Sequence, residues 1–269
     1  MGLNYKESEM DERYRVKWTR EETILAFDLY CRTPFAKIVK TNKDIVALAE
    51  LLGRTPSSVS LKMANLAHHD PAVIARNLKG MSNSSKLDKE IVEEFYQDWT
   101  ELSYQAQLIL SKYKKIDIQS LNPAFLIEKL PAGLDAERET KIRVGQYFFR
   151  TSVLSAYGNA CCVTGMKNPE LLIASHIKPW KVSDTKTERT NPCNGLCLNA
   201  LHDKAFDRGF ITIDSQYRIV ISKKIAEMEM DKKTREWFNS YANQQIILPE
   251  KFCPGKNFIE YHNDVIFQG

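Results

Sequence analysis

The sequence predicts an α+β protein with three parts: a small helical, helix-turn-helix-like domain over 1–85, a helical linker over 86–120, and a domain over 121–269. Three observations carry this prediction. Residues 1–85 read as short helices broken by RTPF, GRTP and HHDP. Residues 86–113, KLDKEIVEEFYQDWTELSYQAQLILSKY, form one polar amphipathic stretch after the Gly/Ser/Asn run GMSNSS. From about residue 120 helical patterns alternate with short β-like runs, as in a domain with a ββα unit, flanking helices and a hairpin.

The chain has 269 residues, enough for one large or two modest domains with a core that needs no covalent staples. No run approaches the roughly 18 apolar residues of a membrane helix, so no membrane span is expected. The opening MGLNYKESEMDERYRVKW is charged from residue 6 onward and lacks an apolar stretch, so no signal peptide is expected. The 6 cysteines are too sparse for a disulfide framework, which fits a reducing, cytoplasmic setting. A net charge of +4 allows an anionic partner without requiring one.

In the first part, WTREETILAFDLY predicts a helix with Thr19 as cap and Glu22 three residues on, a capping box. Ile45, Leu48, Ala49 and Leu52 share the face of a second helix, and Gly53 stands where that helix stops. Thr55 then caps a third helix with Pro56 in its first turn. Small Ala49, turning Gly53 and β-branched Val59 fall at the spacing of a helix-turn-helix. Its second helix would offer Ser58, Lys62 and Asn65 to a DNA groove. Trp18 and Phe27 read as core.

The strongest signal lies in 161–213, CCVTGMKNPELLIASHIKPWKVSDTKTERTNPCNGLCLNALHDKAFDRGFITI. LLIASHI is a β-like run that delivers His176 at its end, before Lys178-Pro179 forces a turn. NGLCLN is a second short strand, opened by Asn194-Gly195, and LHDKAFDRG is a short helix closed by Gly209. Such a unit brings His176 close to the acidic residues of the helix. Asp203 and Asp207 are four apart and share a helical face. An imidazole beside two carboxylates suits metal-assisted hydrolysis with Mg²⁺ or Mn²⁺. Lys178, Arg189, Lys204 and Arg208 surround this site as candidate phosphate contacts, and Trp180 reads as packing beneath the loop.

With SHIKPW, NPCNGL and FDRGFI in this order, the segment resembles the HNH endonuclease family, in its restriction-endonuclease-like branch. The resemblance runs back through RVGQYFFRTSVLSAYGNACCVTG and forward to EYHNDVIF, roughly 138–269. It implies a ββα-metal nuclease with one divalent ion per active site. It implies that His176 is the general base and that Asn194 holds the loop and orients the base. Counting on from Asn194, Asp203 falls where the family's last histidine ligates the metal, with His202 as the alternative ligand. Asp207 would supply a further oxygen, because Ser175 stands where many relatives carry an aspartate. The products implied are 5′-phosphate and 3′-hydroxyl ends.

Cys161 and Cys162 are adjacent and Cys193 and Cys197 are spaced C-x₃-C, so buried small hydrophobes are the expectation and a structural zinc is not. His68 and His69 read as capping or solvated residues, and His262 as a packing residue. The function expected is a bacterial restriction-type enzyme cutting double-stranded DNA as a homodimer, at a site read by the N-terminal domain. The alternatives are an effector nuclease of an anti-phage system activated by a partner, or a DNA-binding regulator with an inactive nuclease domain.

Overall fold

The computed structural model describes residues 16–75, 84–121 and 136–269. Its contacts divide the chain once, into units 1–148 and 149–269. The run GMSNSS lies mostly outside the described residues, as do the opening residues read for a signal peptide.

In the first unit, α1 (Arg20–Arg32) is the central helix. Its capping box forms as expected, with the Thr19 hydroxyl accepting from the Glu22 N–H and Glu22 accepting from the Thr19 N–H. Ten consecutive residues from Glu22 to Cys31 are buried, because other helices cover α1 on several sides. Helix α2 (Lys43–Leu52) is capped by Asn42 and ends at Gly53, whose φ of 62° is the left-handed conformation expected there. Thr55 and Pro56 then open α3 (Pro56–Ala67), and Ala49 and Val59 are both fully buried where α2 meets α3. A single-turn helix α4 (Pro71–Ala75) follows.

The stretch expected as one linking helix forms two, α5 (Lys86–Phe95) and α6 (Trp99–Lys114), and both belong to the first unit. Asp98 breaks the stretch by capping α6. Ile91, Val92, Phe95, Trp99 and Leu102 are at most 2 % exposed, which an independent linker could not achieve. The Trp99 ring lies 4.6 Å from Tyr96 and 6.2 Å from both Phe27 and Phe148.

Two ion pairs are buried in this unit. Arg54 meets Glu22 at 2.7 Å, and Lys62 meets Asp88 at 2.6 Å. Trp18, read from the sequence as core, is half-buried, with the Arg54 guanidinium 4.3 Å and the Lys62 ammonium 5.1 Å from its ring.

A long helix, α7 (Ala136–Ala156), carries the chain from one unit into the other. In the second unit β1 (Leu172–His176) pairs antiparallel with β2 (Gly195–Asn199), which runs directly into α8 (Ala200–Asp207). This is the expected ββα unit. A hairpin of β3 (Ile211–Ile213) and β4 (Ile219–Ile221) follows. Two short helices follow, α9 (Lys223–Glu227) and α10 (Lys232–Asn239), and α11 (Lys256–Tyr261) leads into a π-turn over His262–Ile266. Gly209 ends α8 at φ 69°, where an added Cβ would lie 2.0 Å from the Ile266 carbonyl oxygen. No helix among the described residues is long and apolar enough to cross a membrane.

Candidate active site

His176 is the last residue of β1 and pairs with Gly195, the first of β2. A Cβ at 195 would lie 2.4 Å from Val153 Cγ2 and 3.0 Å from Phe149 Cζ, so glycine allows α7 to approach the strands. The Phe149 ring lies flat against the imidazole at 3.8 Å, and Trp180 meets it edge-on at 5.6 Å. Burial among these rings pushes the imidazole down to about 4, so it is neutral near pH 7. Its Nε2 lies 2.9 Å from the Arg189 carbonyl oxygen. A carbonyl only accepts, so Nε2 carries the proton of the neutral ring and Nδ1 keeps a free lone pair.

Asn194 is fully buried and spans the loop between the strands. Its Oδ1 accepts from the Lys178 N–H at 2.8 Å, and its Nδ2 donates to the carbonyls of Lys178 (3.0 Å) and Glu188 (3.2 Å) and to the Ser183 hydroxyl (3.3 Å). The loop is tied further by a 2.5 Å ion pair between Lys178 and Glu188, and by Glu188 accepting from the Asp184 N–H. Arg189, whose carbonyl meets His176 Nε2, directly follows this clamped segment.

Asn199 caps α8 by accepting from the N–H groups of Leu201 and His202. Its amide also donates to His202 Nδ1 at 3.0 Å. The His202 ring stacks on Trp237 at 4.5 Å, with Phe238 and Tyr241 at its edges, and burial lowers it to about 4. His202 therefore faces an aromatic core and is not placed as a ligand. Asp203 and Asp207 face outward. Burial raises both carboxyls, and Asp203 raises Asp207 further, so the two negative charges are close enough to repel.

Ser175 lies beside them. Its hydroxyl is buried and makes no hydrogen bond of normal geometry, yet it is near enough to Asp203 to offset part of that rise. Among the described residues no three His, Cys, Asp or Glu side chains converge as a ready-made metal cage. Two partly desolvated, mutually repelling carboxylates beside an orphaned buried hydroxyl are nevertheless an oxygen donor set that a hard divalent cation relieves. Mg²⁺ is ordinarily held by one or two carboxylates with water and phosphate completing its shell.

The expected DNA contacts divide. Lys204 on α8 and Arg208 just after it are exposed, and their positive charges act on the two carboxylates. Lys178 is committed to Glu188, with Tyr261 at 5.4 Å from its ammonium. Lys62 is a correction: it is 5 % exposed and bound to Asp88, so it does not reach a groove. Ser58 and Asn65 are half-buried on α3. Cys161, Cys162 and Cys197 are buried, and burial pushes the Cys197 thiol up to about 12. His262 stacks on Phe206 at 3.8 Å, donates from Nε2 to the Phe206 carbonyl and meets the Thr212 hydroxyl at Nδ1, a packing role as expected. Phe149, Ser183 and Glu188 were not singled out from the sequence. The glycine opposite His176 was the available signal for Phe149, since a strand glycine marks close approach from one side.

Residues 161–214 match the family model HNH_2, HNH endonuclease, over about a fifth of the chain. No curated protein matches the chain. The matched segment spans both strands, the clamped loop, α8 and β3, with His176, Asn194 and Asp203 all inside it. Over this ββα unit the chain is similar to the HNH endonuclease family.

Proposed function

We propose that the protein is a divalent-metal-dependent DNA endonuclease of restriction type, with His176 as general base, Asn194 as the residue that positions it, and Asp203 and Asp207 as metal ligands. The observation that carries this reading is the neutral His176, proton-locked at Nε2 and open at Nδ1, on the strand adjoining the α8 carboxylates. Nδ1 takes the proton of a water that attacks phosphorus in line. A bound Mg²⁺ or Mn²⁺ would supply electrostatic stabilisation of the phosphate and of the departing 3′-oxygen. Lys204 and Arg208 contact flanking phosphates, and the first unit supplies site preference through Ser58 and Asn65 of α3.

A second reading has its own support. The only charged side chain of α3 is Lys62, and it is spent on Asp88. A helix face without a free cation is poorly suited to a phosphate backbone. This favours a first unit that senses a partner in an effector nuclease.

The test is cleavage of supercoiled plasmid and phage DNA with Mg²⁺, Mn²⁺ or EDTA. Discrete fragments that disappear in EDTA, and fall by about 10²–10⁴-fold in His176→Ala, support the first reading. A fragment pattern unchanged by Ser58→Ala and Asn65→Ala moves site reading away from α3. Intact DNA under every condition overturns the restriction role.

A further inference from the structure

Arg189 reaches the site twice, once through its backbone and once through its side chain. Its carbonyl lies 2.9 Å from His176 Nε2. Its half-buried guanidinium lies over the Trp180 ring at 5.6 Å, and its Nε donates to the Ser183 carbonyl at 3.0 Å. The same Trp180 ring meets the His176 imidazole edge-on, so base and guanidinium flank one indole. The acids of this loop are spent elsewhere. Glu188 takes Lys178 and the Asp184 N–H, and Asp184 closes a turn on the N–H groups of Lys186 and Thr187 and on the Thr187 hydroxyl. Among the described residues no carboxylate pairs with Arg189, and of its side-chain nitrogens only Nε has an acceptor. The side chain has thus given up rotamer freedom in advance while its outer fork stays open, which is the arrangement of a preorganised anion contact.

We infer that Arg189 is a further catalytic residue, whose outer fork grips the non-bridging oxygens of the phosphate that reacts. The inference rests on the endonuclease reading above and deepens it. A guanidinium is planar and permanently charged, and its parallel N–H groups match two oxygens of one phosphate. Among the other cations of the loop, Lys178 is neutralised by Glu188, and Lys181 and Lys186 are exposed with untethered side chains. Negative charge on the non-bridging oxygens matters most as water attacks phosphorus, and a donor set in place beforehand stabilises it without reorganising. Carbonyl and guanidinium belong to one residue, so the two ends of Arg189 hold base and phosphate in register and set the gap that the attacking water bridges. Lys204 and Arg208 have a different task, since they serve flanking phosphates from α8 and its end.

The experiment uses the full chain and a DNA duplex in two arms. In EDTA, binding is followed against NaCl concentration. Arg189→Ala should lower the slope of log Kd against log salt by about one, the share of a single phosphate contact. Arg189→Lys should keep the wild-type slope, because the charge remains. With Mg²⁺, Arg189→Ala should lower kcat by about 10²–10³-fold, with KM rising only a few-fold. Low concentrations of guanidinium chloride should restore part of that kcat, and restore nothing in His176→Ala. Arg189→Lys, which keeps a donor for the Ser183 carbonyl but lacks the fork, should recover only part of kcat. Cleavage by Arg189→Ala at the wild-type rate overturns the inference, as does a loss of kcat with an unchanged salt slope and no rescue. Either result reduces Arg189 to a brace of the loop and leaves the endonuclease reading standing. A wild-type chain that binds the duplex without cutting it overturns the endonuclease reading and the catalytic role together, and the salt slope then still reports whether Arg189 meets phosphate. A chain that does not bind the duplex overturns both.

Discussion

His176 illustrates how little of a candidate base's setting lies in the residue itself. Its proton is placed by the Arg189 carbonyl, its ring by Phe149 and Trp180, and the room for Phe149 by the missing side chain of Gly195. Gly195→Ala therefore tests the geometry without touching a reacting group. The new Cβ meets Val153 at 2.4 Å, and overpacking of this kind costs roughly 1–3 kcal/mol. Melting of the second unit should fall accordingly, and cleavage should fall further than stability alone explains, because Phe149 is pushed off the imidazole. Equal loss in the two measurements would show that Phe149 does not position the base. At this scale the sequence brought out candidate residues but not their support. His176, Asn194 and Asp203 were readable as candidates because residue type and spacing carry them. Phe149 and Glu188 were not, because an aromatic on a distant helix and an acid in a polar loop look the same whether or not they touch the site.

The elements follow the same division. Caps are local, so Thr19, Gly53, Thr55 and Gly209 each end or begin a helix where the sequence placed them. Burial of a charge is not local, which is why Lys62 read as a groove-facing residue and is instead held under α5 by Asp88. For the same reason α5 and α6 read as a linker, since an amphipathic pattern does not say what covers its apolar face. Lys62→Met should destabilise the first unit by about 3–5 kcal/mol, the usual cost of leaving a buried carboxylate unpaired. Chemical denaturation followed by helical circular dichroism measures it. DNA affinity of the folded variant should be unchanged; a loss of affinity with stability intact would restore Lys62 to a DNA-contacting role.

For the molecule as a whole, acid sensitivity should reside in the second unit. His202 and His262 are each 1 % exposed and held at about 4, below the ordinary histidine value of 6.5. Their contribution is fully present above about pH 6.5, where folded and unfolded chains are both neutral. Below that the unfolded chain takes up protons that the folded one refuses, so stability declines until about pH 4, by up to roughly 1.4 kcal/mol per pH unit for each histidine. Urea unfolding monitored by Trp237 fluorescence between pH 7 and 4 should show this slope, and His262→Gln should remove about one proton's share. A flat profile would contradict the burial of these rings. The clamp around Asn194 also bears on how the protein ages. Asn-Gly is the dipeptide most prone to deamidation, in which the following backbone nitrogen attacks the side-chain amide. Here that amide is fixed by the Lys178 N–H and its other loop partners, and the Gly195 N–H is already given to the Pro192 carbonyl. The folded chain thus shelters its own weakest bond, whereas a chain that unfolds for long enough exchanges the amide for a carboxylate. Such a chain returns without the donor that the Lys178 and Glu188 carbonyls require, and the loop cannot close again as before.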